Sequence, residues 1–432
     1  MNRYGLSWIS GALASFMLLC SGRAGATQPL ESFLERAKTH SFDAREASAT
    51  ERQRSSEADA AVGRLTPSFS ARGVYTRNQY EAAVQLPGTA TRLVITPLNQ
   101  LDAFLQLDVP IIDLASYHRY KAASALAASA TEQKSATTID VARSVARSYY
   151  QYLGADALVQ SALESIKAAQ ANLKNVDDRR AAGAATDLDH ERAAASVARA
   201  EQDLADAQLS AALAGRALET LSGLSPTPAQ ASPEDDLHGE GELGGWLTLA
   251  ASTPGQRVAQ RLGEAAEQNR KAASRALLPT LAGSAQERIT NATGFNGRTS
   301  AYTLQLVLSW RLDYGTIASN DAQSAALDVQ RVRVERTRRA AEDAAFEAFR
   351  RVEAGVVKSR AARAQARAAA RAAGLSADRY GAGVATQLEV TQAQRDAFLA
   401  VAAKIQADAD LAFARASLRL ASGVPVSDKR PR

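Results

Sequence analysis

RRAAGAATDLDH, residues 179–190, and RYGAGVATQLEV, residues 379–390, are one element written twice. Each closes a long helical run on a glycine and opens a second run at a threonine, Thr186 or Thr386, with Asp187 and Asp189 or Glu389 in the first turn of the return helix. Working outward, Asp113, Gly183, Ala185, Thr186, Leu188, Ser222 and Gly223 recur at an offset of 200 as Asp313, Gly383, Ala385, Thr386, Leu388, Ser422 and Gly423. Solenoid units are a few dozen residues long, so a period of 200 is a duplicated structural half. Any function must therefore use two copies of the same hairpin, which excludes most enzyme readings.

The runs themselves are long. From Ile111 to Ser225 there is no proline, and the paired breaks fall at Gly183 and at Gly381 with Gly383. About Leu114 to Ala182 and Tyr314 to Tyr380 are predicted as single helices of roughly 100 Å at ~1.5 Å per residue. The return helices, Thr186 to Ser222 and Thr386 to Ser422, are about half that length. Leu30 to Arg64 supplies another helix of similar size, so two short helices end to end match one long one. Ala193, Val197, Ala200, Leu204, Ala207, Ala211, Ala214, Leu218 and Leu221 form a seam of alternating three and four, with alanines that bring neighbouring helices close. The 46% hydrophobic fraction rests on alanine and only 6% of residues are aromatic, as befits extended helical packing.

Ahead of each long helix the period changes to two. Leu65, Pro67, Phe69, Ala71, Gly73 and Tyr75 alternate with polar residues, and so do Leu105, Leu107, Val109 and Ile111; the second half repeats the pair in Leu277–Gln286 and Tyr302–Leu312. Each stretch is close to the ~10 residues of a tilted membrane strand. The polar segment between the first pair, with Asn78, Pro87, Gly88, Pro97 and Asn99, is predicted as a loop, and a shorter loop joins the second pair. Each chain is thus expected to carry four strands. Four strands cannot close around a pore, and an open edge in lipid leaves backbone groups unpaired, so several subunits must share one barrel.

The ends and the joint complete the organisation. Residues 1–26 are predicted to be a secretory signal, with Arg3, an apolar run from Leu6 to Cys20 and Ala24-Gly25-Ala26 as cleavage site. Leu19 stands before Cys20 where lipidation needs a small residue. Without that leader the chain has no cysteine, and its net charge of +5 falls by two, for Arg3 and Arg23, to +3. Residues 27–224 form the first repeat, 225–245 a flexible joint with Pro226, Pro228, Pro233 and the acids Glu234, Asp235 and Asp236, 246–424 the second repeat, and 425–432 a short tail. Gly239, Gly241 and Gly244 match a phosphate-loop spacing, but no strand precedes them and acids lie within. His40, His118, His190 and His238 are isolated from one another and from any cysteine, so no metal or cofactor is expected. Bases interleave with acids along the helices, as on a solvated face, which argues against nucleic acid. No later segment reaches ~20 consecutive apolar residues, so entry into a membrane must be by strands.

Exported, duplicated, with helix, strand, strand, long helix, glycine turn and return helix in each half, the chain resembles the TolC-like outer-membrane efflux proteins. The resemblance spans the whole mature chain and is carried by RYGAGVATQLEV, RRAAGAATDLDH, the strand-opening LLPTL of Leu277–Leu281 and the terminal LRLASGVP of Leu418–Pro425. It implies a mixed α/β membrane protein, mostly α: a homotrimer whose twelve-stranded barrel sits in the outer membrane of a Gram-negative bacterium and is continued by a helical barrel across the periplasm. It further implies a periplasmic adaptor (membrane fusion protein) and an inner-membrane transporter as partners, with small-molecule efflux or type I protein secretion as the transport role. A periplasmic coiled-coil adaptor is the alternative of another class; it should carry one hairpin flanked by compact β domains.

Residue roles follow from the resemblance, each beside a plainer one. Glu389 falls where the family has an acid at the periplasmic gate, whereas Gln392 stands at the second such position; Asp187 and Asp189 hold equivalent ground in the first half. All three acids equally serve as helix N-caps. Gly183, Gly381 and Gly383 reverse the chain and, with Thr186, Leu188, Thr386 and Leu388, are candidates for docking the adaptor. Phe69, Tyr75, Phe104, Tyr302 and Trp310 are candidate aromatic girdles at the lipid interfaces or packing residues beneath the barrel.

Overall fold

The computed structural model describes residues 28–85, 88, 92–228 and 234–426. The predicted leader 1–26, with Cys20, lies outside these residues, as does the end of the tail from 427.

The duplication is visible in how each long helix begins and ends. α3 (Leu114–Ala181) and α7 (Tyr314–Gly381) are 68 residues each, about 100 Å. Asp113 caps the first, its carboxylate accepting the Ser116 N–H at 2.9 Å, and Asp313 caps the second through the Thr316 N–H at 2.8 Å. The return helices are α4 (Asp187–Ser222) and α8 (Gln387–Ala421). Ala193, Ala200, Ala207 and Leu218 of the expected alanine seam are buried, and α4 lies along α3 as α8 lies along α7. The N-terminal segment is two helices, α1 (Leu30–His40) and α2 (Phe42–Val62), where the sequence predicts one. Ser41 interrupts it: the residue is extended and its hydroxyl caps α2 by accepting the Ala44 N–H. The break lets α1 bury Phe33 and Ala37 against Val145, Tyr149, Leu153, Leu218 and Ala416, the principal core cluster.

Four strands form one antiparallel sheet in the order β1 (Ser68–Arg77), β4 (Asn99–Ile112), β5 (Thr280–Thr290), β6 (Ser300–Ser309). The register aligns parity across the sheet. Phe69, Ala71, Gly73 and Tyr75 lie opposite Leu107, Leu105, Ala103 and Leu101, and Leu308, Leu306, Leu304 and Tyr302 lie opposite Leu281, Gly283, Ala285 and Glu287. One face is therefore apolar, with Leu101, Leu105, Leu304, Leu306 and Leu308 all exposed. The other carries Arg72, Gln100, Asp102, Gln106, Asp108, Gln286 and Arg288, with Arg288 and Asp102 paired at 2.8 Å. The outer strands β1 and β6 each have one partner, leaving two edges.

Two expectations need correction. The segment between β1 and β4 is not plain loop: β2 (Ala82–Gln85) and β3 (Arg92–Thr96) pair into a two-stranded ribbon, so the described residues hold six strands, four of them in the sheet. Alternation over four or five residues among prolines gives too weak a signal to stand out. Nor is the joint slack. Arg415 on α8, itself buried, donates to both oxygens of Asp235 at 2.7 and 2.9 Å, to Glu240 at 2.5 Å and to the His238 carbonyl at 2.7 Å. Lys404 adds a bond to Glu234 at 2.7 Å. Leu237, Leu243 and Trp246 then cover Phe349, Val352 and Leu411. The strap leads into α5 (Leu243–Ala250) and α6 (Pro254–Arg275), whose opening at Thr253-Pro254 is as expected. Asp235, Asp236 and His238 have the side chains of a metal cluster, but the Arg415 guanidinium takes the place of a cation there.

Candidate functional site

The two hairpin tips lie at the ends of the long helices remote from the sheet, and both are built by the same hydrogen bonds. At the first, the Gly183 N–H reaches the Arg180 carbonyl at 2.9 Å and the Ala184 N–H reaches Arg179 at 2.8 Å. At the second, Gly383 reaches Tyr380 at 3.0 Å and Val384 reaches Arg379 at 3.0 Å. These are the paired bonds of a helix terminated by a left-handed residue, and φ is 75° at Gly183 and 79° at Gly383. Gly381 has a different job: it is the last helical residue of α7.

The return helices are capped alike. The Thr186 hydroxyl accepts the Asp189 N–H at 3.2 Å while the Asp189 carboxylate accepts the Thr186 N–H at 3.1 Å. The Thr386 hydroxyl accepts the Glu389 N–H at 3.3 Å and lies 3.2 Å from the Glu389 carboxylate. Asp187 pairs with Arg180 at 2.7 Å across its own turn. Each of the three candidate acids thus has a partner within its own hairpin while its side chain stays at the surface. Gln392 faces a groove between α8 and the α3–α4 pair that also presents Arg192, Arg199 and Arg395, so its surroundings are basic. Leu188, Val384 and Leu388 are exposed at the tips.

What joins the two tips was not singled out in the sequence. Arg179, at the end of α3, donates to the Tyr380 carbonyl at 2.7 Å and to the Gly381 carbonyl at 2.8 Å, and its guanidinium stands 4.6 Å from the Tyr380 ring centroid. Those carbonyls belong to the last turn of α7, where helix geometry leaves acceptors unfilled and negative. Beneath this clasp Val176, Ala193, Tyr380 and Val390 form a small buried cluster, one residue from each of the four helices. The signal was present: arginine recurs at the 200 offset as Arg379, but Tyr380 stands where the first half has Arg180. The repeat is broken where the two halves must meet. Arg379 instead reaches back to Val384 in its own turn at 3.5 Å.

At the other end of the molecule, Tyr75 and Tyr302 sit on the apolar face near the strand ends remote from the helices. Phe69 and Trp310 sit near the opposite ends. Six to eight residues separate the two levels, about 20–26 Å at ~3.3 Å per residue, comparable to the apolar band of a membrane barrel. The Tyr75 hydroxyl bonds Asn99 at 3.0 Å and the Trp310 indole bonds the Leu277 carbonyl at 3.0 Å. Phe104 departs from the expectation. Its parity puts it on the polar face, with Arg72 at 5.0 Å and Arg288 at 5.9 Å from its ring centroid, so it carries cations and is not part of an apolar-face girdle.

Comparison with known proteins agrees with this architecture. A crystal structure of a membrane protein from Pseudomonas aeruginosa superposes with a TM-score of 0.78 at 21% identity, over 91% of this chain and 93% of that one. The structure of CusC gives a TM-score of 0.80 at 18% identity over 92% of both chains. The open-state MtrE outer membrane channel of Neisseria gonorrhoeae gives 0.74 at 19%, over 91% of this chain and 89% of that one. At these identities the likeness is one of fold. No curated protein sequence matches significantly. The model of the outer membrane efflux protein family matches residues 33–224 and 251–424, both repeats and most of the chain. The chain belongs to the outer membrane efflux protein family, whose place is the outer membrane with extension into the periplasm.

Proposed function

We propose that this protein is the passive outer-membrane duct of a tripartite small-molecule efflux system. The observation that carries the reading is the four-stranded sheet with one apolar face and two unpaired edges, continuous with helices of about 100 Å. Backbone groups at β1 and β6 need partners in lipid, and another copy's β6 and β1 supply them. Three copies of a four-stranded sheet make twelve strands, wide enough for an aqueous lumen lined by the face of Asp102, Gln106, Arg72 and Arg288.

The helices then form a tube whose far end is the ring of tips. In this reading the Arg179 clasp holds the two hairpins of one chain together and opening requires its release. Glu389, Asp187 and Asp189 lend negative charge to the entrance from the first turns of their helices. The exposed Leu188, Val384 and Leu388 offer the apolar surface on which a periplasmic adaptor docks, and the adaptor links the duct to an inner-membrane transporter. Protein export through a type I system would use the same tube with another transporter.

Planar-bilayer recording of the purified mature chain tests the proposal. Discrete channels of large conductance are expected, and protein that inserts without ever conducting would overturn it.

A further inference from the structure

The polar face of the sheet holds a single aromatic side chain, Phe104, and the register places a cation on each side of it. Arg72 of β1 lies opposite Phe104 of β4, Phe104 lies opposite Arg288 of β5, and Arg288 lies opposite Ala301 of β6. β1 and β5 flank β4, so the two arginines leave the sheet two strand spacings apart, about 10 Å. Both lean on the ring between them, with their guanidinium carbons 5.0 and 5.9 Å from its centroid. Their charges are not answered equally. Asp102 is buried and its carboxylate accepts from Arg288 at 2.8 and 2.9 Å and from Gln100 at 2.7 Å. Arg72 is exposed and forms no ion pair among the described residues. Two guanidiniums against one carboxylate leave one positive charge on the row in each chain. Ala301, with only a methyl group, leaves the row open beside Arg288.

We infer that Arg72, Phe104 and Arg288 form a binding site for planar aromatic anions, carboxylates or sulfonates, on the wall of the lumen. The half-buried ring offers a flat apolar surface. The Arg72 guanidinium beside it takes an acid group through two parallel N–H donors. An aliphatic anion uses the fork without the ring, and a neutral aromatic uses the ring without the fork, so a molecule carrying both groups is held best. In a barrel of three chains the row recurs three times at one level, as a belt of positive charge. A passive duct thereby gains a preference for one class of cargo that its width alone does not supply.

This inference rests on the shared-barrel reading, and two measurements separate them. The probe is pyrenetetrasulfonate, a planar fluorescent anion: its anisotropy with the detergent-solubilised ring reports binding, and planar-bilayer recording reports the open duct. Saturable binding to the parent ring is expected. Arg72→Gln should weaken it about tenfold, the loss of a charged hydrogen-bond donor. Phe104→Leu should weaken it about fivefold, the loss of the stacking surface. Displacement by citrate, an anion without a ring, should change in Arg72→Gln and not in Phe104→Leu. A conducting ring that binds the probe as tightly in either variant as in the parent would overturn the site and leave the duct standing. Assembled protein that never conducts would overturn the duct and the lumen site with it.

Discussion

Replacing Arg179 with alanine removes the clasp between the two tips and nothing else of consequence in its neighbourhood. The side chain makes two hydrogen bonds, at 2.7 and 2.8 Å, to carbonyls of the last turn of α7, and one ring contact at 4.6 Å. A hydrogen bond from a charged donor contributes about 1.5–3 kcal/mol and an exposed cation–ring contact about 0.5–1. Arg179 is only half-buried, so water competes for the guanidinium and the lower end applies, about 2 kcal/mol for the whole clasp. That is roughly a 30-fold shift toward unclasped tips in each chain, and about 6 kcal/mol over the three chains of the proposed trimer. The helices themselves keep their caps at Gly183 and Thr186, so the melting temperature should stay within a few degrees. In planar bilayers Arg179→Ala is expected to spend a much larger fraction of time open than the parent, with Arg179→Lys between them, because lysine keeps the charge without the fork that spans two carbonyls. An open fraction within twofold of the parent, in a channel that melts normally, would refute the clasp as the restraint on opening.

Other perturbations probe the remaining parts. Leu306→Arg, on the apolar face, should cost about 2–4 kcal/mol in lipid and abolish assembly into outer membranes, whereas Gln305→Arg on the polar face should insert normally; heat-modifiable gel mobility of membrane fractions reads both. Arg415→Ala leaves the partly buried Asp235 and Glu240 without their cation, at the lower end of the range for a broken buried pair, about 3 kcal/mol, and should expose the strap at 234–242 to limited proteolysis while the hairpins stay resistant. The same strap should loosen in acid. The hydrogen bond from Lys404 holds the Glu234 carboxyl below its ordinary value, so its contribution is full above the unfolded carboxylate range and is lost as pH falls through the lower folded value. Gly383→Ala places a side chain at φ 79° with open space around it, so strain alone should cost about 1–2 kcal/mol, seen as faster amide exchange at residues 380–388.

Much of this fold was legible because it is periodic. The shift from period two at Leu105–Ile111 to an unbroken helical run, twice at one spacing, gave the long helices, the turns and three of the sheet strands to within a few residues, whereas β4 begins six residues before Leu105, at Asn99, where the sequence predicts loop. Local chemistry was legible in type but assigned to the wrong residues: the sequence reading gives the capping to Asp187, Asp189 and Glu389, whereas Thr186 and Thr386 are the N-caps and Asp189 and Glu389 answer them three residues on. What stayed hidden depends on residues far apart in the chain. Asp235 looks like part of a solvated acidic run until Arg415, 180 positions later, is seen to bury it. Arg179 looks like one more surface arginine until Tyr380 arrives from the other repeat. Phe104 was misassigned by residue type alone, although its parity with Gln106 and Asp108 already placed it on the polar face.

In the duct proposed above no single chain closes the pore. Electron cryomicroscopy of the mature protein in lipid nanodiscs is expected to show one barrel of twelve strands built from three chains, with β6 of each copy hydrogen-bonded to β1 of the next. A barrel closed within one chain, or sheets left with free edges in lipid, would contradict it.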